Sequence, residues 1–117
     1  MIKRALTVSL GTLLLGACQH QGQIVPAVIA DGSDATMDRL KSHLADAMGL
    51  AQISLGAGDP TAQSNVTVLP PPPGRYEARS PVTPVQFRLI LVGEDCYAER
   101  EGSGERIELT GVPCRAL

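Results

Sequence analysis

Four consecutive prolines, Pro70-Pro71-Pro72-Pro73, constrain the fold of this chain more than any other feature of its sequence. Each proline ring fixes φ and removes a backbone N–H donor, so the run is expected to adopt polyproline II and to interrupt regular structure. The residues that follow, as far as Pro84, show no repeating apolar period. The segment 70–84 is therefore predicted to be a long exposed loop, and loops of this length are often functional.

The part of the chain before this loop contains one clear helical pattern. Apolar residues recur at helical spacing at Met37, Leu40, Leu44, Ala47 and Met48. The pattern predicts a helix over residues 35–48, with Ser33 or Asp34 as the N-cap and Gly49 at the C′ position. After Gly49 the apolar period changes to two, which predicts short strands over 51–55 and 65–69 that pair as a hairpin.

Three further strands are predicted after the proline-rich loop. The strongest covers residues 85–92, where four apolar side chains alternate along one face. Strands over 96–100 and 106–110 follow after turns that contain glycine. Because the connections are short, the three strands are expected to form an antiparallel meander with one polar face.

The start of the chain has the pattern of an export signal. Met1-Ile2-Lys3-Arg4 is positively charged, and residues 5–15 are mostly apolar. A transmembrane helix needs about 20 apolar residues, so this run is too short to remain as a membrane span.

The apolar run ends in Leu15-Gly16-Ala17-Cys18, which resembles the lipobox of bacterial lipoproteins. The resemblance implies that a diacylglyceryl group is joined to the Cys18 sulfur and that cleavage occurs between Ala17 and Cys18. Residues 1–17 are then a signal peptide, and residues 18–32 form a lipidated N-terminus and tether. An ordinary secretory signal or an uncleaved segment is the alternative.

The residue after the lipobox cysteine bears on the location of the protein. In Gram-negative lipoproteins an aspartate there favours retention in the inner membrane, whereas this chain has Gln19. The resemblance therefore implies a cell-envelope protein anchored in the outer membrane and facing the periplasm.

Cys96 and Cys114 are the other two cysteines of the chain. An even pair in an oxidising compartment is expected to form a disulfide, with the tail at 112–114 folding back towards Cys96. Free or metal-binding thiols are the alternative, although no CxxC spacing supports a zinc site. Together these patterns predict an α+β domain over residues 33–117. It consists of one amphipathic helix packed on an antiparallel sheet of about four or five strands, stapled by one disulfide.

The apolar part of the predicted tether, Ile24-Val25-Pro26-Ala27-Val28-Ile29, contains a proline. Proline cannot donate to a β-ladder, so this segment is expected to dock on the domain or to pair as an edge strand rather than a central one.

Charge and composition argue against several functional classes. The ten basic residues include Lys3 and Arg4, so the chain from Cys18 onwards carries eight basic residues against twelve acidic ones. A net charge of −4 argues against nucleic-acid binding. No catalytic constellation is predicted, because His20 and His43 have no nucleophile or carboxylate in a familiar arrangement. No metal site or cofactor is predicted either.

The leading functional hypothesis is a non-catalytic module that binds a protein partner in the envelope or has a structural role, with membrane attachment through the lipid. Arg75, Tyr76 and Arg79 are the candidate contact residues, because arginine and tyrosine are enriched where proteins bind partners. An inhibitor or chaperone-like binder that uses the same loop is the second hypothesis. A small-ligand-binding protein and an enzyme remain as further alternatives. The prolines could instead only insulate an edge strand from unwanted pairing.

Overall fold

The computed structural model describes residues 23–71 and 83–117, together with Gly11. One helix packs on a six-stranded antiparallel sheet, so the predicted α+β class is confirmed and the strand number exceeds the expected four or five. The elements are β1 (Ile24–Ile29), α1 (Asp34–Met48), β2 (Asn65–Val68), β3 (Val85–Val92), β4 (Asp95–Arg100), β5 (Arg106–Glu108) and β6 (Cys114–Ala116).

Strand β3 is the centre of the sheet. Its residues Phe87 to Val92 pair with β4, and β4 pairs in turn with β5. On its other edge, the first half of β3 pairs with β2 and the second half pairs with β1. Strand β1 then leaves β3 and pairs through Ala27, Val28 and Ile29 with β6. The sheet order is therefore β5-β4-β3-β1-β6, with β2 beside β3.

Strand β1 corrects the expectation for the predicted tether. The segment 24–29 lies between β3 and β6, so the prediction of an edge strand is wrong. Pro26 is tolerated because its carbonyl accepts a hydrogen bond from the Leu117 N–H at 2.9 Å, which directs its backbone polar atoms towards the end of β6. Only one ladder donor is lost there. Ala27, Val28 and Ile29 are fully buried, so the core includes part of the segment 18–32.

The segment between α1 and β2 pairs less than predicted. Residues 51–55 form only one isolated bridge, between Leu55 and Val68, instead of a full strand. The following loop bonds to β1: the Pro60 carbonyl accepts from the Ile29 N–H at 2.8 Å, and the Ser64 hydroxyl donates to the Ala27 carbonyl at 2.7 Å. The loop thus fills the space that β1 leaves when it turns away from β3.

The helix follows the sequence pattern closely. Ser33 is the N-cap, and its hydroxyl accepts from the Thr36 N–H at 3.4 Å. Gly49 ends the helix in a left-handed conformation with φ 69°, which glycine adopts without steric cost. Leu40 and Leu44 are fully buried against the sheet. Ala45 is buried and Ala47 exposed, so the apolar stripe lies slightly to one side of the predicted one.

The sheet curls around its core. Cys96 on β4 and Cys114 on β6 form a disulfide with a Cα–Cα distance of 6.0 Å, although β3 and β1 lie between these strands in the sheet order. In a flat sheet, three strand spacings would separate them by about 14 Å. The curl brings β6 over β4 and encloses apolar side chains, with fully buried Phe87 and Leu89 among them.

Candidate functional site

The disulfide is the predicted site that the structure confirms. Cys96 is buried and Cys114 is half-buried, and both pack against the core cluster. Because these two cysteines bind each other, Cys18 is the one cysteine of the three outside this pair.

The predicted lipidation site lies outside the described residues. The lipobox Leu15-Gly16-Ala17-Cys18 and the cleavage point between Ala17 and Cys18 precede the first described strand, which begins at Ile24. No helix in the described part of the chain is long and apolar enough to cross a membrane.

The candidate contact residues Arg75, Tyr76 and Arg79 also lie outside the described residues, but both ends of their segment are placed. Pro70 and Pro71 continue from β2, and Pro84 leads into β3. The two ends of the segment therefore lie at the same end of the sheet, where Val68 of β2 pairs with Val85 of β3.

A groove of about 260 Å³ lies beside this stem. It is lined by the residues after the helix and by the start of the proline run: Leu50, Gln52, Ile53, Ser54, Leu69, Pro70 and Pro71. Leu69, which follows the buried Val68 at the end of β2, is 42% exposed. Sequence reasoning missed this groove, because it forms where residues 50–54 meet residues 69–71, and these two stretches are separate in the sequence. The signal available was the polyproline run itself, which stiffens one wall.

The histidine of the helix is engaged in a structural contact. His43 Nε2 lies 2.7 Å from the Thr110 carbonyl oxygen, so this ring nitrogen carries the proton and donates. Arg39 donates to the neighbouring Gly111 carbonyl at 3.4 Å. The two side chains join α1 to the loop between β5 and β6. Among the described residues, no three or more His, Cys, Asp or Glu side chains are grouped so that they could hold a metal ion.

Two exposed aspartates are tied to turns by hydrogen bonds. The Ser33 backbone N–H and the Thr36 hydroxyl donate to Asp31, and these bonds lower the pKa of its carboxyl below the ordinary value of 3.8. The Thr61 hydroxyl and backbone N–H lower the pKa of Asp59 in the same way. Both aspartates order local backbone, which is a structural role.

The polar side of the sheet contains one cross-strand ion pair among the described residues. Arg106 Nε on β5 lies 3.0 Å from Glu99 Oε2 on β4, and these residues are direct register partners. Both side chains are about one-third exposed or more, so solvent screening limits the pair to the range of about 0.2–1 kcal/mol.

The described residues thus define a small α+β domain with a curled, disulfide-closed sheet, one helix and a groove beside the stem of a proline-rich segment. No protein-family model, curated protein or solved structure matches the chain.

Proposed function

We propose that this protein is a bacterial envelope lipoprotein, anchored through an acylated Cys18, whose domain acts as a non-catalytic protein-interaction or structural module. The observation that carries the proposal is Leu15-Gly16-Ala17-Cys18, placed directly behind a basic start and an apolar run. Cleavage between Ala17 and Cys18 would leave a mature chain whose first residue carries the lipid.

The cysteine chemistry supports this proposal. Disulfides persist in oxidising compartments such as the bacterial periplasm, and Cys96 and Cys114 form one. Cys18 is left outside this pair, so its sulfur is available for a thioether to diacylglycerol. Two or three acyl chains hold a protein stably on a membrane, because each buried CH₂ contributes about 0.8 kcal/mol. Gln19 favours the outer membrane, with the domain facing the periplasm.

The membrane attachment has a direct test. Cys18→Ser removes the sulfur that carries the lipid, so the variant should be soluble in the periplasm or accumulate as the precursor. The wild type should incorporate labelled palmitate and fractionate with the outer membrane. A variant that is cleaved normally and still sediments with membranes would overturn the lipid anchor.

The interaction function is supported by the groove at the stem of the 70–84 segment. Its apolar wall of Leu69, Pro70 and Pro71 lies beside the segment that contains Arg75, Tyr76 and Arg79. A proline run expected to adopt polyproline II would lose little entropy on binding, and the groove presents both apolar and polar side chains to a protein contact. The acidic net charge of the chain disfavours a nucleic-acid partner. The same groove favours, as a second candidate, an inhibitor or chaperone-like binder that uses this segment.

Replacing Arg75, Tyr76 and Arg79 together with alanine tests the contact. The lipidated protein is solubilised in detergent, and the proteins that co-purify are quantified against the wild type. The matched control is Arg88→Ala with Arg115→Ala, which removes the same positive charge from exposed strand positions. We expect recovery of a specific envelope partner to be lost only in the triple variant, with unchanged melting temperature.

The outcomes separate the alternatives. If the triple variant and the wild type recover the same amount of partner, the prolines serve only to prevent an edge strand from pairing with other chains. Stoichiometric inhibition of a periplasmic hydrolase by the wild type, lost in the triple variant, would favour the inhibitor.

A further inference from the structure

The distance between the proposed lipid anchor and the first strand is short. Ile24 follows Cys18 by six residues, and a fully extended chain of that length spans about 20 Å. The end of the sheet that contains the start of β1 therefore lies near the membrane surface whenever Cys18 is lipidated. This step rests on the proposed function, because an unmodified Cys18 would set no such limit.

Exposed apolar side chains are concentrated at this end of the sheet. Ile24 is 48% exposed and Leu117 is 69% exposed, and they are two of the three exposed large hydrophobic residues in the described part of the chain. Ile24 pairs with half-buried Val92 at the end of β3. Leu117 donates its N–H to exposed Pro26, two residues after Ile24 on the same strand. We call Ile24, Pro26, Val92 and Leu117 the Ile24 patch.

The third exposed hydrophobic residue lies at the opposite end of the sheet. Leu69 follows Val68, which pairs with Val85 at the start of β3, whereas Ile24 pairs with Val92 at its end. The eight residues of β3 cover about 25 Å. Leu69 therefore lies at the end of the sheet away from the membrane and serves as the control position for lipid contact at Ile24 and Leu117.

We propose that the Ile24 patch rests on the surface of the bilayer that holds Cys18, so that the domain is docked on the lipid in a fixed orientation. The patch contains four residues, whereas a stable dimer interface takes about 20–30 residues from each partner. A lipid contact requires less, because the anchor already holds the domain at the membrane and makes docking an intramolecular step. Docking directs the groove at Leu69 away from the membrane, towards soluble or cell-wall-facing partners.

The charges near the patch indicate which force holds it on the lipid. Glu94 and Asp95 are exposed in and beside the turn that follows Val92. Arg115, two residues before Leu117, is also exposed, and its guanidinium donates to the Thr61 carbonyl at 3.4 Å. The two carboxylates outnumber this one cation and repel anionic headgroups, so the contact is apolar and not electrostatic. Docking is expected to be stronger on zwitterionic than on anionic lipid, and screening by salt should reduce that difference.

The absence of tryptophan from the sequence allows a site-specific test. Three full-length variants, Ile24→Trp, Leu117→Trp and Leu69→Trp, are produced with their lipid and reconstituted into phosphatidylcholine vesicles. Half of each preparation uses phosphatidylcholine brominated on its acyl chains, which quenches only tryptophan that contacts the lipid. Mass spectrometry of the same preparations records the acylation of Cys18.

We expect several-fold greater quenching at positions 24 and 117 than at position 69, and less quenching at 24 and 117 when anionic lipid is added. Acylated protein with equal quenching at all three positions, or with none at 24 and 117, would overturn docking and leave the lipid anchor intact. Unquenched, blue-shifted emission at position 24 with concentration-dependent cross-linking would assign the patch to a second copy and also overturn docking. Unmodified Cys18 and no vesicle association would overturn the proposed function and docking with it.

Discussion

Breaking the disulfide should destabilise this domain strongly while leaving its fold recognisable. The bond joins Cys96 to Cys114 across a separation of 18 residues. In the chain-entropy description, closing a loop of that length lowers the entropy of the unfolded chain and so raises the free energy of unfolding by about 3 kcal/mol at 25 °C. For a domain of this size, each kcal/mol corresponds to roughly 4–8 °C in Tm, so full reduction should lower Tm by roughly 12–24 °C.

The structure explains why the effect should be large here. The bond connects β4 to β6, which are separated by β3 and β1 in the sheet, so it holds the curl closed. Strand β6 has only three residues and pairs with one neighbour in the described sheet, β1, so few other contacts retain it. A small domain with a marginal core depends on such a covalent link.

The assay is thermal unfolding followed by circular dichroism, with and without reductant, on the purified protein. Alkylation and mass measurement confirm that two thiols have been released. The control is a variant with Cys96→Ala and Cys114→Ala, whose Tm should be low and should not respond to reductant. A fall in wild-type Tm of less than about 3 °C after complete reduction would show that the disulfide contributes little to the stability of the fold.

Three further predictions concern the packing and the helix cap. Phe87→Ala should lower the free energy of unfolding by about 3–5 kcal/mol, because the ring is fully buried, whereas Leu117→Ala should change it by less than about 0.5 kcal/mol. Urea unfolding measures both, and similar costs would contradict the described core. Ser33→Ala should cost about 1 kcal/mol through loss of the N-cap, and a neutral effect would show that the cap bond contributes nothing. The pKa of Asp31 is lowered, so the stability that its carboxylate contributes is complete above pH 3.8 and is lost as the pH falls through the lowered pKa. Asp31→Asn should therefore make the free energy of unfolding less dependent on pH in acid. The same pH profile in the variant and the wild type would contradict this prediction.

The elements that were predictable from the sequence are those determined by local pattern. Ser33 and Gly49 mark the ends of α1 because caps act within one turn. Strand β3 and its two successors alternate with short turns, so their pairing needs little information beyond the chain between them. The disulfide followed from the number of cysteines and the expected compartment.

The elements that were not predictable depend on distant partners. Strand β1 pairs with β3 and β6, and its first residue, Ile24, pairs with Val92, more than sixty residues later in the sequence. No residue near position 24 indicates these pairings. Proline favoured an edge position, yet Pro26 lies within the sheet with its carbonyl bonded to the Leu117 N–H just after β6, and only one ladder donor is lost there. The segment 51–55 alternates like a strand, but the sheet offers it only one bridge beside β2.

The same distinction applies to the candidate sites. Cys18 stands out because its motif is contiguous, and the segment with Arg75, Tyr76 and Arg79 stands out because prolines precede it. The groove beside Leu69 and the Ile24 patch are assembled from residues far apart in sequence, so only the folded chain reveals them.

The mass of the N-terminal peptide decides whether Cys18 carries a lipid. The protein is purified in detergent from an expressing bacterium and digested, and the peptide that contains Cys18 is identified by mass spectrometry. We predict that this peptide begins at Cys18, lacks residues 1–17 and carries a diacylglyceryl group on its sulfur. A peptide that retains Ala17 before an alkylatable Cys18 thiol in the mature, membrane-associated protein would contradict the lipid anchor.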